Sequence, residues 1–437
     1  MANIKPFKAY FYNKDKVGDL STVVAPTVYN INDDTKDKLY SINEYNAVRL
    51  FDGKVTAEDN DTSNKYTRAS DYLSSWIEND VLLRDESESI YLYEETVEMN
   101  GTRYQNMTFV ALLEIEELGG DIRMCEEIRE ISKKDRYDLL KATNADMSII
   151  SCLYIERDKQ LLHLMNKLSQ NEPDIEFDSI DYGMHQRIWK ISDNVTINNI
   201  VSLLKGTKLY IIDGQTRYTT CLQYRDYMRD KNPNHTGKEA YNYTMVSLFD
   251  SNSDGMAIMP EHRKIKLPKE FNESYFIAAA QEHFKIEKII VDAQDSSITD
   301  TMKQQIMTKR LETKLAIYFG ANYFYRLTLK DSDYIKEKLL PEMSEYYCGL
   351  DTVVLRKLII NDIFGIEEDY AELVSTSIST RECVSAIENG LADIMVALNP
   401  VKFEQIEKVT GENEILPFRS LSIFPKPSVG ALINIKD

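Results

Sequence analysis

Histidine and cysteine are scarce in this chain of 437 residues, and their scarcity narrows the chemistry open to it. There are five of each. Cys125, Cys152, Cys221, Cys348 and Cys383 are odd in number, far apart and without a CxxC spacing. A disulfide framework is therefore not expected, and the thiols read as reduced and mostly buried. No His/Cys cluster has the ligand spacing of a structural zinc site. Glycine and proline are also few, 16 and 11 against 43% hydrophobic residues, which sets aside collagen-like and disordered chains. Positive charge is short as well: 52 Lys and Arg against 71 Asp and Glu leave a net charge of −19. A field of that sign repels DNA and anionic lipid, so a nucleic-acid partner is disfavoured. The opening MANIKPFKAY has no apolar signal core, and no apolar run reaches the roughly 20 residues that span a bilayer. The expectation is a soluble cytoplasmic protein with no membrane partner.

What the chain does have is concentrated between Lys208 and Arg225, KLYIIDGQTRYTTCLQYR. Leu209 to Ile212 form a short apolar run rich in β-branched and aromatic residues, the mark of a buried strand. Asp213 and Gly214 give a tight turn, Thr216 is a candidate cap, and the apolar positions Tyr218, Cys221, Leu222 and Tyr224 recur at helical spacing. A strand thus delivers a glycine turn to a helix N-terminus. Unpaired N–H groups and the positive end of the helix dipole gather there, with Gln215, Thr216 and Arg217 as side-chain donors, and this suits a phosphate. The alternative is an ordinary strand–turn–helix junction in which Arg217 pairs with Asp213.

Around this motif the chain alternates strand and helix patterns, an α/β or α+β composition with a mixed sheet and helical elaborations. Ile4–Tyr10 and Val23–Tyr29 read as strands, and Tyr66–Trp76 as an amphipathic helix. Ile90–Val97 and Met107–Ile115 read as a hairpin about Asn100-Gly101. A charged loop with Glu126, Glu127 and Arg129 leads into a helix; close carboxylates beside arginines serve as general bases or metal ligands, or form a solvated helix start. Residues 168–181 read as an acidic surface loop, and His185–Asp193 as a strand. The run MAIMPEHR places His262 and Arg263 just past a strand end, where sites tend to be built. Three consecutive regions are expected: 1–170 with the charged loop, 171–270 with the Asp-Gly-Gln-Thr-Arg motif, and 271–437.

In their order, IKPFKAY, VVAP, NEYNAVRL (Asn43–Leu50), EEIREISKKDR, LLKATNADMSII, HQRIWKI, LYIIDGQTRY, IMPEHR and ILPFRSLSIFPKP resemble domain-of-unknown-function family 1015. That is a bacterial and archaeal group related to the ParB/sulfiredoxin-like fold. The family's signature turn is Asp-Gly-His-His-Arg. Here Gln215 and Thr216 stand in place of the two histidines, and Cys125-Glu126 in place of the family's His-Glu. Asp213, Gly214 and Arg217 match, so the resemblance implies a retained anion site and an altered proton-transfer apparatus.

The resemblance further implies a ParB-like core whose turn binds phosphate, often that of a nucleotide. The fold includes free serine kinases, nucleotide-switched partition proteins and sulfiredoxins. The expected set is Asp213, Gly214, Gln215, Thr216, Arg217, Arg129 and Arg263 for phosphate or nucleotide, with Glu126, Glu127 and His262 catalytic. The cofactor is ATP or ADP with Mg2+ as its candidate companion, and no metal ligands are assigned. The partners are that nucleotide and a small-molecule substrate, serine or a related metabolite, with a homodimer left open. The leading reading is a phosphotransferase; the second is a non-catalytic nucleotide or phosphometabolite binder that regulates a partner.

Overall fold

A computed structural model describes residues 2–436 except 27–30, 100, 129, 181–182, 254, 268–271, 292–296, 309–311, 332 and 368–372. The chain is α/β and packs as two compact units that interleave along the sequence. The first comprises Met1–Met124, Ile128–Ala257 and Ile423–Asp437, and the second Cys125–Glu127 and Ile258–Ser422.

The first unit is built on a nine-stranded mixed sheet. Its strands are β1 (Ile4–Lys5), β2 (Ile90–Met99), β3 (Thr102–Glu114), β4 (Ile122–Met124), β5 (Ile150–Tyr154), β6 (Ile175–Asp178), β7 (His185–Ile191), β8 (Leu209–Asp213) and β9 (Tyr243–Asp250). Their order across the sheet is β4-β8-β5-β9-β3-β2-β7-β6, with β1 paired to β3. The β4–β8 and β5–β9 pairs are parallel and the others antiparallel. Alternation along the strands feeds two cores, because successive side chains leave opposite faces. Tyr91, Tyr93, Val110 and Leu112 enter one core with Leu73 and Trp76 of helix α1 (Lys65–Glu78). Ile90, Leu92, Phe109, Ala111 and Leu113 enter the other. There they meet α3 (Asn194–Leu204) through Ile197, Ile200 and Leu204, and α4 (Gln215–Lys231) through Tyr218, Cys221 and Tyr224. Helix α2 (Glu130–Thr143) packs against α1 and α4.

The second unit carries an antiparallel six-stranded sheet. Its strands are β10 (His262–Ile265), β11 (Phe284–Ile290), β12 (Lys314–Tyr318), β13 (Tyr323–Leu329), β14 (Val374–Ser377) and β15 (Ile394–Ala397). They run in the order β11-β13-β12-β15-β10-β14. Helices α5 (Ile298–Ile306) and α6 (Thr380–Glu388) cover one face, burying Met302, Ile306, Cys383 and Ile387 against Ala316, Phe324 and Met395.

The strand–turn–helix expected at 208–225, the α1 helix and the β2–β3 hairpin stand where the sequence puts them, although Asn100 of the hairpin turn lies outside the described residues. Several expectations are corrected. The first strand is not continuous: Ile4–Lys5 joins β3, whereas Tyr10–Tyr12 pairs with Leu82–Arg84. The intervening Pro6 has no N–H for a ladder. Val23–Tyr29 is reduced to a single bridge from Ala25 to Val429, with 27–30 outside the described residues. The acidic stretch at 168–181 holds β6, an edge strand whose Phe177 is buried. The apolar run before Pro260 is a strand, Ala257–Met259, as expected, and His262 and Arg263 past its end open a further strand, β10, that was not anticipated.

Candidate functional site

The turn between β8 and α4 is shaped by Gly214. Its φ of +91° is left-handed, and it serves as N-cap of α4 without a side-chain cap. Glycine alone enters that conformation without steric cost. Thr216, the expected cap, sits one position inside the helix behind Gln215. A Cβ at position 214 would also lie 2.8 Å from Nη2 and 2.9 Å from Nε of Arg217, because the guanidinium folds back over the turn. Glycine is thus required for conformation, and a side chain here would in addition have to displace the Arg217 guanidinium from its place.

Arg217 donates from Nη2 to Asp213 Oδ2 at 2.5 Å and from Nη1 to Ser148 Oγ at 2.6 Å. The other oxygen of Asp213 accepts from Lys426 Nζ at 2.8 Å. Burial pushes the Asp213 carboxyl upward, but Lys426 and Arg217 outweigh it and hold it below the ordinary carboxylate range. The result is one carboxylate clamped between two cations at the mouth of a helix. The first-turn N–H groups of Gln215, Thr216 and Arg217 have no carbonyl one turn earlier to receive them. The Gln215 side chain is turned inward and donates to Ile211 O at 3.1 Å. Arg217, Ser148 and Arg136 border a cavity of about 50 Å3, together with Asp146 and Cys221. Such a space has room for a few waters or one small anion, since about 10–15 Å3 suffices to admit one water.

The remaining expected residues lie in the second unit, except Arg129, which falls outside the described residues. Glu126 is buried, and its Oε1 accepts the N–H groups of Ser420 and of Leu421, the latter at 3.2 Å. Burial pushes its carboxyl up to about 8; the two amides and Arg419 oppose this, and Glu261 reinforces it. Glu127 accepts from Phe418 N at 3.3 Å and stands 3.8 Å from Arg356. Arg263 donates to Glu261 O and, at 2.9 Å, to Arg419 O. The segment from Pro417 to Leu421 therefore ties Glu126, Glu127 and Arg263 together. His262 is buried, and its Nδ1 accepts from Leu398 N at 3.1 Å. That bond fixes the proton on Nε2, which is buried without an acceptor. Burial, with Lys303 and Arg263, pushes the imidazole down to about 3, so it is neutral at physiological pH.

The structure thus brings Asp213, Gly214, Gln215, Thr216 and Arg217 together in one unit, and Glu126, Glu127, His262 and Arg263 in the other. Lys426, Ser148 and Arg136 were not assigned from the sequence, yet each sits in a segment of the resemblance: IFPKP, ATNADMSII and EEIREISKKDR. Among the described residues no group of three or more His, Cys, Asp or Glu side chains could hold a metal ion. Mg2+ commonly takes one or two carboxylates and completes its shell with waters and substrate phosphates. Asp213 is the carboxylate at the turn, and both its oxygens are already engaged by cations. Among the described residues no helix is long and apolar enough to cross a membrane.

A family model described as "Protein of unknown function (DUF1015)" matches residues 4–353. No curated protein matches. Solved structures do. A conserved hypothetical protein from Pyrococcus furiosus is 9% identical, with 75% of this chain and 95% of that one covered and a TM-score of 0.35. A free serine kinase variant in complex with ADP is 8% identical, with 75% and 92% covered and a TM-score of 0.36. SbnI with a C-terminal truncation, from Staphylococcus aureus, is 11% identical, with 75% and 87% covered and a TM-score of 0.34.

Proposed function

The chain belongs to the DUF1015 family of proteins of unknown function, and from that premise we propose that it binds a phosphate-bearing ligand, ATP or ADP, at the Asp213–Arg217 turn. We further propose that it transfers a phosphoryl group to serine or a related small metabolite. One observation carries the reading: Gly214 opens the N-terminus of α4 in a left-handed conformation while Arg217 and Lys426 converge on Asp213 beside it. A phosphate entering the turn would meet the free N–H groups of the first helical turn. It would also meet a guanidinium already fixed by Asp213, so little side-chain freedom is lost on binding. Phosphoryl transfer asks mainly for positioning and charge stabilisation, which these groups supply. Mg2+, where it takes part, would arrive with the phosphates and neutralise their charge.

A second reading, a nucleotide or phosphometabolite binder that regulates a partner without turnover, has its own support. Gln215 replaces a family histidine and is bonded into the strand, and the carboxyl of Glu126 is buried against two backbone amides. Neither residue stands as an exposed base. A thermal-shift panel of ATP, ADP, pyrophosphate, serine and phosphoserine, with and without Mg2+, tests the binding claim. A ligand at a hundred times its Kd adds about 2.7 kcal/mol to stability. A shift with ATP or ADP, followed by phosphoserine formation from serine, supports the phosphotransferase. A shift without turnover supports the regulatory binder. No shift with any phosphate compound contradicts both.

A further inference from the structure

The first unit contains another cavity, of about 350 Å3, lined by Glu44, Tyr45, Arg49, Tyr72, Trp76 and Asn79 among others. Its size lies within the range of small-molecule pockets. Two sequence features that the phosphate site does not use build it: the NEYNAVRL segment and the apolar face of α1. Tyr72 and Trp76 are four residues apart and so share one side of α1. Their rings lie 6.1 Å apart, and Tyr45 meets Trp76 edge-on at 5.8 Å. Trp76 is packed into the core, whereas Tyr45 and Tyr72 are partly buried against it. Tyr45 and Tyr72 thus flank the cavity with ring faces and edges for a planar guest, and Trp76 lies behind them.

Arg49 gives the cavity its polarity. Its guanidinium carbon sits 4.1 Å from the centroid of Tyr40 and 5.8 Å from that of Tyr72, and Nη2 donates to Tyr40 O at 3.0 Å. Its Nε is buried and has no acceptor. Every other close partner is a carbonyl or a ring face. Among the described residues no carboxylate stands within ion-pair distance of it, although the chain carries an excess of acid. A partly buried cation without a counter-ion, with aromatic walls beside it, suits an anion carried on a ring. Glu44 at the exposed rim repels a second negative charge and so favours a monoanion.

We propose that this cavity is a binding site for a small monoanionic aromatic carboxylate, with the carboxylate on Arg49 and the ring between Tyr45 and Tyr72 against Trp76. The probes are benzoate, neutral benzamide and cationic benzylamine, each titrated into the full chain by saturation-transfer NMR and by tryptophan fluorescence. Trp76 is one of only two tryptophans, so its quenching is resolvable. Benzoate is expected to saturate and to bind about tenfold more tightly than benzamide, the worth of one charge-assisted hydrogen bond. R49Q should abolish that preference. Y72L, which keeps an apolar side chain at a partly buried position, should stay folded and weaken both probes, so the test stands even where R49Q fails to fold. R217A should leave benzoate binding as it is, which separates this site from the phosphate turn. Benzylamine binding as tightly as benzoate, no saturation by any probe, or an unaltered benzoate affinity in Y72L each overturns the proposal.

Discussion

Gly214 carries two constraints in one residue, a left-handed backbone and an arginine lying over its Cα. Gly214→Ala should therefore cost about 1–2 kcal/mol for the backbone alone, with an added penalty as the methyl displaces Arg217. Urea unfolding measures the first and nucleotide affinity the second; a variant equal to wild type in both would show that the turn is not held as described. Glu126 makes a different kind of prediction. Burial pushes its carboxyl up to about 8 in the fold, against 4.5 for a free glutamate side chain. A group with a raised folded pKa stabilises the fold fully below its unfolded value, and that stabilisation is lost as pH rises through the folded one. Wild-type stability should thus decline between about pH 5 and pH 8 through this group. Glu126→Gln, which keeps the shape and cannot ionise, should flatten that decline. His262 acts in the opposite range: with its imidazole pushed down to about 3, stability should fall as pH drops below 6.5. Parallel pH profiles for wild type and Glu126→Gln would contradict the buried-acid account.

At the scale of elements, α1 is the clearest case of sequence dictating structure. Asn64 accepts from the N–H groups of Tyr66 and Thr67, and Thr67 Oγ1 accepts from Asn64 N at 2.9 Å, closing a capping box. Asn64→Ala should cost about 1 kcal/mol in chemical denaturation; a change near zero would mean that tertiary packing alone sets the start of this helix. Period and turn chemistry made α1, the β2–β3 hairpin and the β8–α4 junction legible, since each pairs a clear repeat with a cap or a glycine. Strand β6 was hidden because four residues with two exposed acids look like a loop until β7 supplies their partner. β10 was not foreseen for a related reason: His262 and Arg263 are polar, and only the flanking β14 and β15 explain why they are buried in a sheet. Lys426 could not be assigned at all from spacing, standing 213 positions from the carboxylate it neutralises.

At the scale of the molecule, the net charge of −19 makes any anion site a local exception that must be built by fixed cations. Arg217 and Lys426 are two such fixed cations in the first unit, both paired to Asp213 and supported by a strand, a helix and the returning C-terminal segment. Local pattern and family resemblance located the turn, and the Arg217–Asp213 pair was the alternative read from the sequence; the second cation, Lys426, came only from the structure. Titration calorimetry of ATP and ADP against wild type and Arg217→Ala tests this most directly. The variant should stay folded, because Lys426 still neutralises Asp213. Its affinity should fall by about 1.5–3 kcal/mol, roughly ten- to a hundredfold or somewhat more. Equal affinity in the two proteins, or no binding of either nucleotide to the wild type, would contradict the assignment of the turn as a phosphate site.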